Sequence, residues 1–581
     1  MAYDLDDPWV VDNPPSEKYR IYTRANVGEV FPDPVTPLSW TIAGAKYAEP
    51  GWRDALERFG AATHDEFDPN NLEVMGVFGG YCYLNVSVSR LIGVRTPGLT
   101  WDAIDYSLFG VQPGVPPYEP SPGDDSEERS AACAATLQWV LTTEGLPDLV
   151  EQQRAIAQLR AERPDFSAMS NEQLLGRLRE VMATWFRKLF AEHLFISYCS
   201  TVPAGIIAQV AAAVGDPTLP NRLIAGLGGV DSAAPSWAMW ELGRIAASSP
   251  AVTAEFEKGV DGLVDRLRGS TDADAQRFAT AFDDFLYEFG SRGPNEWEMR
   301  SPTWETRPEL ALVAIDRMRL TPEIEAPQKH NEAMATDREA LIADVSEKLA
   351  GDPETQGQFL AAVRAAGIFL AGRERTKTTI IRQVHEVRMA MRELGRRMVE
   401  AGHFDDINDF GMIREDEYDA FLADPASFKE TIRDRKAWYD ELAQLEPTFV
   451  VTTGNIPKPS SWPRRDAVNP DRATAGDVLE GLPGCPGVAT GRARVILDSN
   501  DPTALEPGDV LVAPITDPSW TPLFVPASAV VVDVGAQISH AIIVSRELGI
   551  PCVVSVTNGT KRIPDGATIT VDGTTGTVTV H

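Results

Sequence analysis

Residues 535–552 read GAQISHAIIVSRELGIPC, and this stretch says more about the fold than any other part of the chain. The run before it, AVVVDV at 529–534, is apolar and β-branched, as in a buried strand. A short turn then leads to Ser539 and His540, and a helical pattern, AIIVSREL, continues until Gly549. The pattern predicts a strand, a turn and a helix that begins at His540.

His540, in the first turn of that helix, is a candidate nucleophile. The free backbone N–H groups of a first helical turn and the positive end of the helix dipole stabilise an anion. A phosphoryl group on an imidazole nitrogen would be held by those groups and by the Ser539 hydroxyl. The same dipole disfavours the protonated ring, which keeps the nitrogen nucleophilic. Spacing alone leaves a second interpretation open, in which His540 only caps or packs the helix.

Two styles of sequence meet near residue 480. Before it, apolar residues recur at helical spacing and charged residues lie on the opposite face. After it, short β-rich runs are separated by Gly, Pro and Asp turns. The clearest predicted helices are 171–189 (N-cap Ser170), 275–290, 338–349 and 373–401. The predicted strands are 493–497, 509–513, 529–534, 552–556, 568–571 and 577–580.

These patterns predict a multidomain chain, in which a large, mainly α-helical domain is followed by a small α/β domain. The join between them is rich in proline (Pro457, Pro459, Pro463 and Pro470), as semi-rigid spacers and domain boundaries are. We place the helical domain at 1–451, a Pro-rich linker at 452–478 and the small domain at 479–581.

Composition excludes several classes of protein. The 581 residues are 43% hydrophobic and 24% charged, which is ordinary for globular chains. A formal charge of −32 disfavours binding to nucleic acid and to anionic membranes. The five cysteines are widely spaced, which argues against a disulfide framework or a zinc ribbon. No secretory signal pattern opens the chain, so we expect a cytoplasmic protein.

One uncharged stretch, 194–215, is long enough to span a bilayer. It contains serine, threonine and glutamine as well as Pro203. We therefore interpret it as a buried helix interrupted at Pro203, and expect no membrane partner.

Common catalytic motifs are absent. The sequence has no GxxxxGK[ST] phosphate loop, no HExxH and no GxSxG. Gly226 and the next three residues read GLGG and predict a tight turn. His193, His385 and His403 have no partners at ligand spacing, and we expect no metal site.

The C-terminal 100 residues resemble the swivelling phosphohistidine domain of the phosphoenolpyruvate-utilising dikinases. The resemblance rests on LPGCPGVATGRARV, GDVLVAPITDPSWTPLF, the His540 segment and GTKRIPDGATITVDGTTGTV. It implies that His540 carries the phosphoryl group and that Ser539 and Gly535 support it. The family's usual Gly-Gly before the histidine is Gly535-Ala536 here, and the alanine adds a methyl group near the approach of the phosphate. Ser555 replaces a common glycine, and we expect it at the surface.

The first 450 residues resemble the helical acceptor domain of rifampin phosphotransferase and its relatives. The matching stretches are TRANVGEVFPDPVTPL at 23–38, FLYEFGSRGPNEWEMRSPTW at 285–304 and RERTK at 373–377. The resemblance implies that Arg373 and Lys377 approach the transferred phosphate, with Glu374 between them at the substrate. Four residues apart, the two cations project from one helical face and could stabilise charge on the phosphoryl oxygens. A solvated charged face is the alternative.

Four further residues of these stretches are candidate site residues. Arg292 is a third candidate cation, with a structural salt bridge as the alternative. Asn26, Glu29 and Thr36 are implied to bind substrate, and the alternative is that they cap the fold.

The ATP-grasp domain of the three-domain dikinases is missing from this sequence. The chain starts at the acceptor motif and stops after the histidine domain, which leaves no room for a further fold of roughly 300 residues. A phosphohistidine needs a donor, so we expect a separate ATP-grasp subunit that binds ATP and Mg²⁺. That split architecture is similar to phenylphosphate synthase and related aryl-phosphate synthases.

The resemblance therefore implies one subunit of a dikinase-type phosphotransferase, which consumes ATP and releases AMP and phosphate. His540 would pass the group to the hydroxyl of a small acceptor, expected to be phenolic because a phenol ionises easily (pKa ~10). Two alternatives stay open: the component of a rifampin-like antibiotic phosphotransferase, and a non-catalytic phosphohistidine carrier or regulator.

Overall fold

The computed structural model describes most of the chain. The described residues are 3–110, 112, 114–216, 218–227, 231, 233–322, 327–467, 471–497, 505–516, 520–535 and 539–581. The chain divides into two compact units, each assembled from three segments. The first unit comprises Met1–Thr201, Trp297–Ser301 and Arg375–Ala467, and the second comprises Val202–Glu296, Pro302–Glu374 and Val468–His581.

Helices dominate both units, as the spacing of apolar residues predicts. The α-helices are α1 (Val27–Val30), α2 (Pro37–Ser39), α3 (Glu49–Phe59), α4 (Val86–Arg95), α5 (Trp101–Phe109), α6 (Glu127–Thr142), α7 (Pro147–Ala161), α8 (Asn171–Val181), α9 (Arg187–Val214), α10 (Leu219–Leu223), α11 (Ala234–Ser248), α12 (Pro250–Phe256), α13 (Leu263–Arg268), α14 (Ala273–Phe289), α15 (Glu309–Leu320), α16 (Pro327–Lys348), α17 (Pro353–Glu400), α18 (Tyr418–Ala423), α19 (Lys429–Leu442), α20 (Thr521–Phe524), α21 (His540–Leu548) and α22 (Gly559–Arg562). The predicted N-cap Ser170 is confirmed, since its hydroxyl accepts from Gln173 N in a reciprocal capping box.

Twelve strands form two sheets within the described residues. The strands are β1 (Ile21–Thr23), β2 (Met75–Phe78), β3 (Tyr81–Asn85), β4 (Val450–Thr452), β5 (Val478–Glu480), β6 (Leu482–Cys485), β7 (Val488–Val495), β8 (Val510–Ala513), β9 (Ala529–Val532), β10 (Cys552–Val554), β11 (Thr568–Asp572) and β12 (Thr577–Val580).

The sheet of the second unit has eight strands in the order β5-β12-β11-β7-β8-β9-β10-β6. Its centre is parallel: β7 pairs with β8, β8 with β9 and β9 with β10. The flanking pairs are antiparallel. Helix α21 connects the parallel neighbours β9 and β10, so the predicted strand and the predicted helix that begins at His540 are confirmed, while residues 536–538 of the predicted turn lie outside the described residues. Parallel pairing of this kind requires a crossover connection, and α21 supplies it.

The apolar side of α21 helps to fix the second unit. Ile542 and Val544 are fully buried, in a core that also contains Trp240 of α11 and Phe282 of α14. Gly549 ends the helix in the left-handed conformation, as expected (φ 69°).

The sheet of the first unit, β2-β3-β1-β4, is not predicted by the sequence analysis. Strand β4 spans the predicted boundary between residues 451 and 452 and pairs with β1 in antiparallel register, with Ile21 opposite Thr452. Further along the same segment, Trp462 is buried against Tyr81. The boundaries at 451 and 479 stay predictions; Pro470 lies outside the described residues.

The predicted interruption at Pro203 is wrong, because α9 runs through Pro203 without a break. A proline removes one backbone hydrogen bond but does not have to end a helix. Packing holds the turns on either side, where Cys199, Ser200 and Ile207 are buried. Among the described residues, Asn171–Val214 is the one helical stretch long and apolar enough to cross a bilayer, and half of its most apolar window is buried, as in a core helix.

Candidate functional site

The candidate site of the second unit lies where two parallel strands end. Thr516 follows β8 and His540 follows β9, and these strands are neighbours in the sheet. The carboxyl ends of parallel strands meet at one edge, which is where open α/β sheets bind ligands. The topology therefore brings together two residues that are 24 positions apart.

The His540 ring is buried and bonded at both nitrogens. Nδ1 lies 3.1 Å from Thr516 Oγ1, and Nε2 lies 3.1 Å from Thr521 Oγ1. Phe524 packs edge-on against the ring, with centroids 6.0 Å apart. Only 6% of His540 is exposed. In a neutral imidazole one nitrogen donates and the other accepts, and a hydroxyl can do either, so two threonines suit the neutral ring.

Ser539 occupies the N-cap position of α21, but its side chain does not cap the helix. Its Oγ is buried and has no hydrogen-bond partner among the described residues. A buried hydroxyl without a partner is costly, which makes Ser539 available to a group that arrives at His540. The predicted supporting role of Ser539 thus fits its position.

Gly535 is required by close packing. A Cβ at this position would lie 2.9 Å from Val554 Cβ and 3.1 Å from Ser539 Oγ. The expectation that Ser555 is a surface residue is wrong. Ser555 is buried, has a φ of 56° and donates its hydroxyl hydrogen to the Gly535 carbonyl. The left-handed φ explains why glycine suits this position. Ala536 lies outside the described residues.

The last turn of α21 contacts helices from earlier in the second unit. Arg546 Nη2 donates to Asn221 Oδ1 at 2.6 Å. Asn331 Nδ2 donates to Glu547 Oε2 at 3.0 Å. Burial lowers the pKa of Arg546 to about 10, while the neighbouring Cys485 and other groups act in the opposite direction.

Arg373 lies beside this part of the helix. It lines a small cavity together with Ile543, Arg546 and Glu547. Glu547 is seven residues beyond His540, or about 10 Å along the helix axis. Glu374 is buried, and its Oε1 lies 3.9 Å from Arg373 Nε. The structure thus places Arg373 and Glu374 close to the later turns of the helix that carries His540.

Lys377 lies one turn further along α17 and belongs to the first unit. It is half-buried, and no described residue forms an ion pair or hydrogen bond with it. The residue before it, Thr376, bonds His193 Nδ1 through Oγ1 at 2.9 Å. Lys377 is therefore a cation without a partner among the described residues, and its approach to the transferred phosphate stays a prediction.

Arg292 has a structural partner. Its Nε lies 2.8 Å from Glu296 Oε2, and both side chains are almost fully buried. This is the salt bridge given as the alternative interpretation, and a catalytic role for Arg292 stays a prediction.

The first unit contains a second polar cluster, centred on Glu298. Thr36 donates to this carboxylate from its hydroxyl at 2.8 Å and from its backbone N–H at 3.3 Å. Ser39 donates its hydroxyl hydrogen to the same group. Arg388 donates to the backbone carbonyls of Glu298 and Met299, both at 3.1 Å. Thr36 thus fixes a buried carboxylate.

Asn26 and Glu29 lie at a short helix in the same unit. Asn26 is exposed, has a φ of 62° and precedes α1. The backbone N–H of Glu29 donates to its carbonyl. Their predicted substrate contacts stay predictions.

Thr516, Thr521 and Glu298 are site residues that were not predicted. All three lie inside the stretches of sequence that carry the family resemblance, so a signal was present. Nothing in linear spacing, however, shows that two hydroxyls converge on one ring. In the described part of the chain, no three His, Cys, Asp or Glu side chains are grouped as metal ligands.

Two domain families match the chain. Residues 193–374 match the rifampicin phosphotransferase fourth domain. Residues 505–576 match the mobile domain of PEP-utilising enzymes, and this match includes His540, Thr516 and Thr521. The resemblance to the phosphoenolpyruvate-utilising dikinases is confirmed.

Relatives of this dikinase-like chain include named transferases. The prodigiosin synthesizing transferase PigC of Serratia marcescens is 26% identical over 99% of this chain and 64% of its own length. A rifampicin phosphotransferase of Streptomyces sviceus is 30% identical over 56% of this chain and 37% of its own. The rifampicin phosphotransferase of Bacillus subtilis is 29% identical over 52% of this chain and 34% of its own length. The chain spans less than two thirds of the length of these relatives.

Proposed function

We propose that the chain is the phosphohistidine-bearing component of an ATP-dependent phosphotransferase that acts on a small phenolic acceptor. The observation that carries the proposal is the buried His540 ring, bonded to two hydroxyls at the carboxyl edge of a parallel sheet. The match to a mobile domain supports the idea that this ring receives a phosphoryl group in one place and releases it in another. Two local transfers then replace one transfer between distant sites.

In the first transfer, a ring nitrogen attacks the phosphorus atom of the donor. A P–N bond forms, and the bond between phosphorus and the donor's leaving oxygen breaks. The attacking nitrogen must give up its threonine hydroxyl, whereas the other nitrogen keeps its N–H and its threonine. The Ser539 hydroxyl and the first N–H groups of α21 would hold the phosphoryl oxygens.

In the second transfer, the acceptor's hydroxyl oxygen attacks phosphorus and the P–N bond breaks. The electron pair returns to the ring nitrogen, and the phenolic proton leaves to solvent or a base. Lys377 would lower the pKa of the phenol and stabilise charge on the moving group. The absence of a partner for Lys377 among the described residues supports this role.

The donor in this proposal is a separate ATP-grasp protein with ATP and Mg²⁺, as the resemblance to the aryl-phosphate synthases implies. The chain alone would then form no phosphohistidine from ATP. Mass spectrometry of the chain after incubation with ATP and Mg²⁺ checks this, and unaided labelling of His540 would overturn it.

The second transfer can be tested without the donor. Potassium phosphoramidate phosphorylates histidine chemically, and the labelled chain is then mixed with phenol, 4-hydroxybenzoate or rifampicin. We expect His540 to lose its phosphate and an aryl phosphate to appear in ³¹P NMR. Slow loss to water alone, unchanged by every hydroxyl compound, would favour the carrier without catalytic activity and refute the proposal.

A rifampicin-like acceptor is the second candidate, favoured by the relatives named rifampicin phosphotransferase. The same experiment separates the two candidates, because only one class of acceptor should discharge the labelled chain. Discharge by rifampicin and not by the phenols would replace the phenolic acceptor and leave the histidine chemistry intact.

A further inference from the structure

A cavity in the first unit is lined by none of the site residues predicted from the sequence. Its volume is about 550 Å³, within the ~300–1,000 Å³ of ligand pockets. Helices α3, α6, α7 and α9 line it. Helix α9 contributes Glu192 and Phe195, whereas His193, between them, contacts Thr376. Adjacent helical residues point about 100° apart, so the cavity and the Thr376 contact lie on different faces of α9.

The cavity has an aromatic wall. The Trp139 and Phe195 rings lie 5.5 Å apart, inclined at 36°. Trp139 is 37% exposed, which is high for so large an apolar side chain, while Phe195 is buried. Leu146 and Pro147 extend the apolar surface. A wall of this kind suits a flat ring.

The polar groups of the wall mostly accept hydrogen bonds. The hydroxyl hydrogen of Thr136 is donated to Phe59 O at 2.9 Å, and that of Thr143 to Gly145 O at 3.0 Å. The two hydroxyl oxygens therefore have lone pairs left to accept from a ligand, and such a ligand must be a hydrogen-bond donor.

The charge of the wall is negative. Arg58 stacks on Phe195, with Cζ 3.8 Å from the ring centroid, and forms an ion pair with the buried Glu192. Asp148 is exposed and has no ion pair or hydrogen bond with any described residue through its carboxylate. One cation against two carboxylates leaves a net charge of −1.

We infer that this cavity binds a small aromatic amine, whose ring lies against Trp139 and whose ammonium group is paired with Asp148. The aromatic wall selects the ring, and the acceptors and the unpaired carboxylate select a cationic donor over an anion. The inference is independent of the proposed function, since binding here uses neither His540 nor Lys377.

Two probes of nearly equal shape test the inference: tyramine and 4-hydroxyphenylacetate, which differ in the charge of the side chain. Isothermal titration calorimetry uses the full chain without nucleotide. We expect tyramine to bind at least about tenfold more tightly than the acid. Equal affinity, tighter binding of the acid or no binding of tyramine would overturn the inference.

Three variants locate the site. Asp148→Asn should weaken tyramine binding about twofold to fivefold and slightly tighten binding of the acid, because it removes a charge that attracts the amine and repels the acid. Trp139→Ala should weaken both probes. Glu144→Gln, which changes an exposed carboxylate between α6 and α7 outside the cavity wall, is the matched control and should change neither affinity. Tyramine affinity that Asp148→Asn or Trp139→Ala leaves unchanged would refute the assignment.

His540→Ala separates this inference from the proposed function. It removes the phosphoryl carrier and should leave tyramine affinity at the level of the unaltered chain. Loss of tyramine binding in His540→Ala would contradict the independence of the two sites.

Discussion

The His540 ring and the Glu298 carboxylate are both buried and both bonded to hydroxyl groups, but they can do different things. The ring is held by Thr516 and Thr521, and under the proposed function it exchanges one of these hydroxyls for a phosphoryl group. The carboxylate only accepts, and removing its donors would leave a buried charge unsolvated. Hydroxyl groups thus hold two different groups. The proposed function requires the His540 ring to exchange a hydrogen-bond partner, whereas the Glu298 carboxylate must keep its donors.

The largest expected effect concerns the His540 ring. His540→Ala should abolish chemical phosphorylation at this position and lower acceptor phosphorylation by about 10³-fold or more, because no nucleophile remains. Phosphopeptide mass spectrometry and product assays check this. His403→Ala, in a turn of the first unit, is the control. Product formation that persists in His540→Ala would end the phosphohistidine mechanism.

Lys377→Ala should leave phosphorylation of His540 unchanged and slow its discharge to the acceptor by about 10²-fold, as when one charge-stabilising donor is removed. Single-turnover discharge of the chemically labelled chain measures the rate. Lys436→Ala, which removes a cation already paired with Asp440, is the matched control. An equal loss of labelling and discharge would assign Lys377 a structural role.

Glu298→Gln tests whether the buried Glu298 carboxylate needs all of its hydrogen-bond donors. The amide can accept at one atom only, so the free energy of unfolding should fall by about 1–3 kcal/mol. The rate at which the labelled chain transfers its phosphate to the acceptor should fall by less than about tenfold. Urea denaturation measures the first quantity. Glu430→Gln, an exposed carboxylate of α19, is the control. A variant with full stability would show that the hydroxyl cluster tolerates rearrangement.

The smallest expected effect concerns Asp12, a third buried group, whose carboxyl is bonded to backbone N–H groups instead of hydroxyls. Asp12 accepts from Trp9, Gly79 and Gly80. Burial raises its pKa from 3.8 to about 7, against the effect of those hydrogen bonds.

A raised carboxyl pKa means that the folded chain binds more protons than the unfolded chain between pH 4 and 7. This contribution to stability is therefore present at low pH and is lost as the pH rises through about 7. Asp12→Asn should flatten that dependence. Hydrogen exchange of β2 and β3 against pH measures it, and a profile that Asp12→Asn leaves unaltered would contradict the assignment.

Sequence patterns predict strands β8 to β12 well because their signals are local, whereas β5, β6 and the first five residues of β7 were not predicted. Strands β8 to β12 begin within a residue of the predicted positions, since Gly, Pro and Asp mark each turn. The sheet of the first unit was missed because β1 and β4 are three residues each and pair across more than 400 positions. Such short strands carry no readable alternation.

The candidate site shows the same limit. His540 could be found from its place at a strand, turn and helix, and Arg373 and Lys377 from the resemblance. Ser555 was misplaced because its left-handed backbone follows from the packing around Gly535, not from its own residue type. Thr516 and Thr521 could be assigned only once the sheet had brought them to the ring.

The enclosure of His540 also bears on how long an energised group survives. A P–N bond is readily cleaved by water, and a ring that is 6% exposed can be reached from few directions. Under the proposed function, the lifetime of the phosphohistidine therefore depends on Phe524 and on the threonine that stays bonded to the ring. Wider access of water would hydrolyse the phosphohistidine before transfer and consume the donor's nucleotide without product.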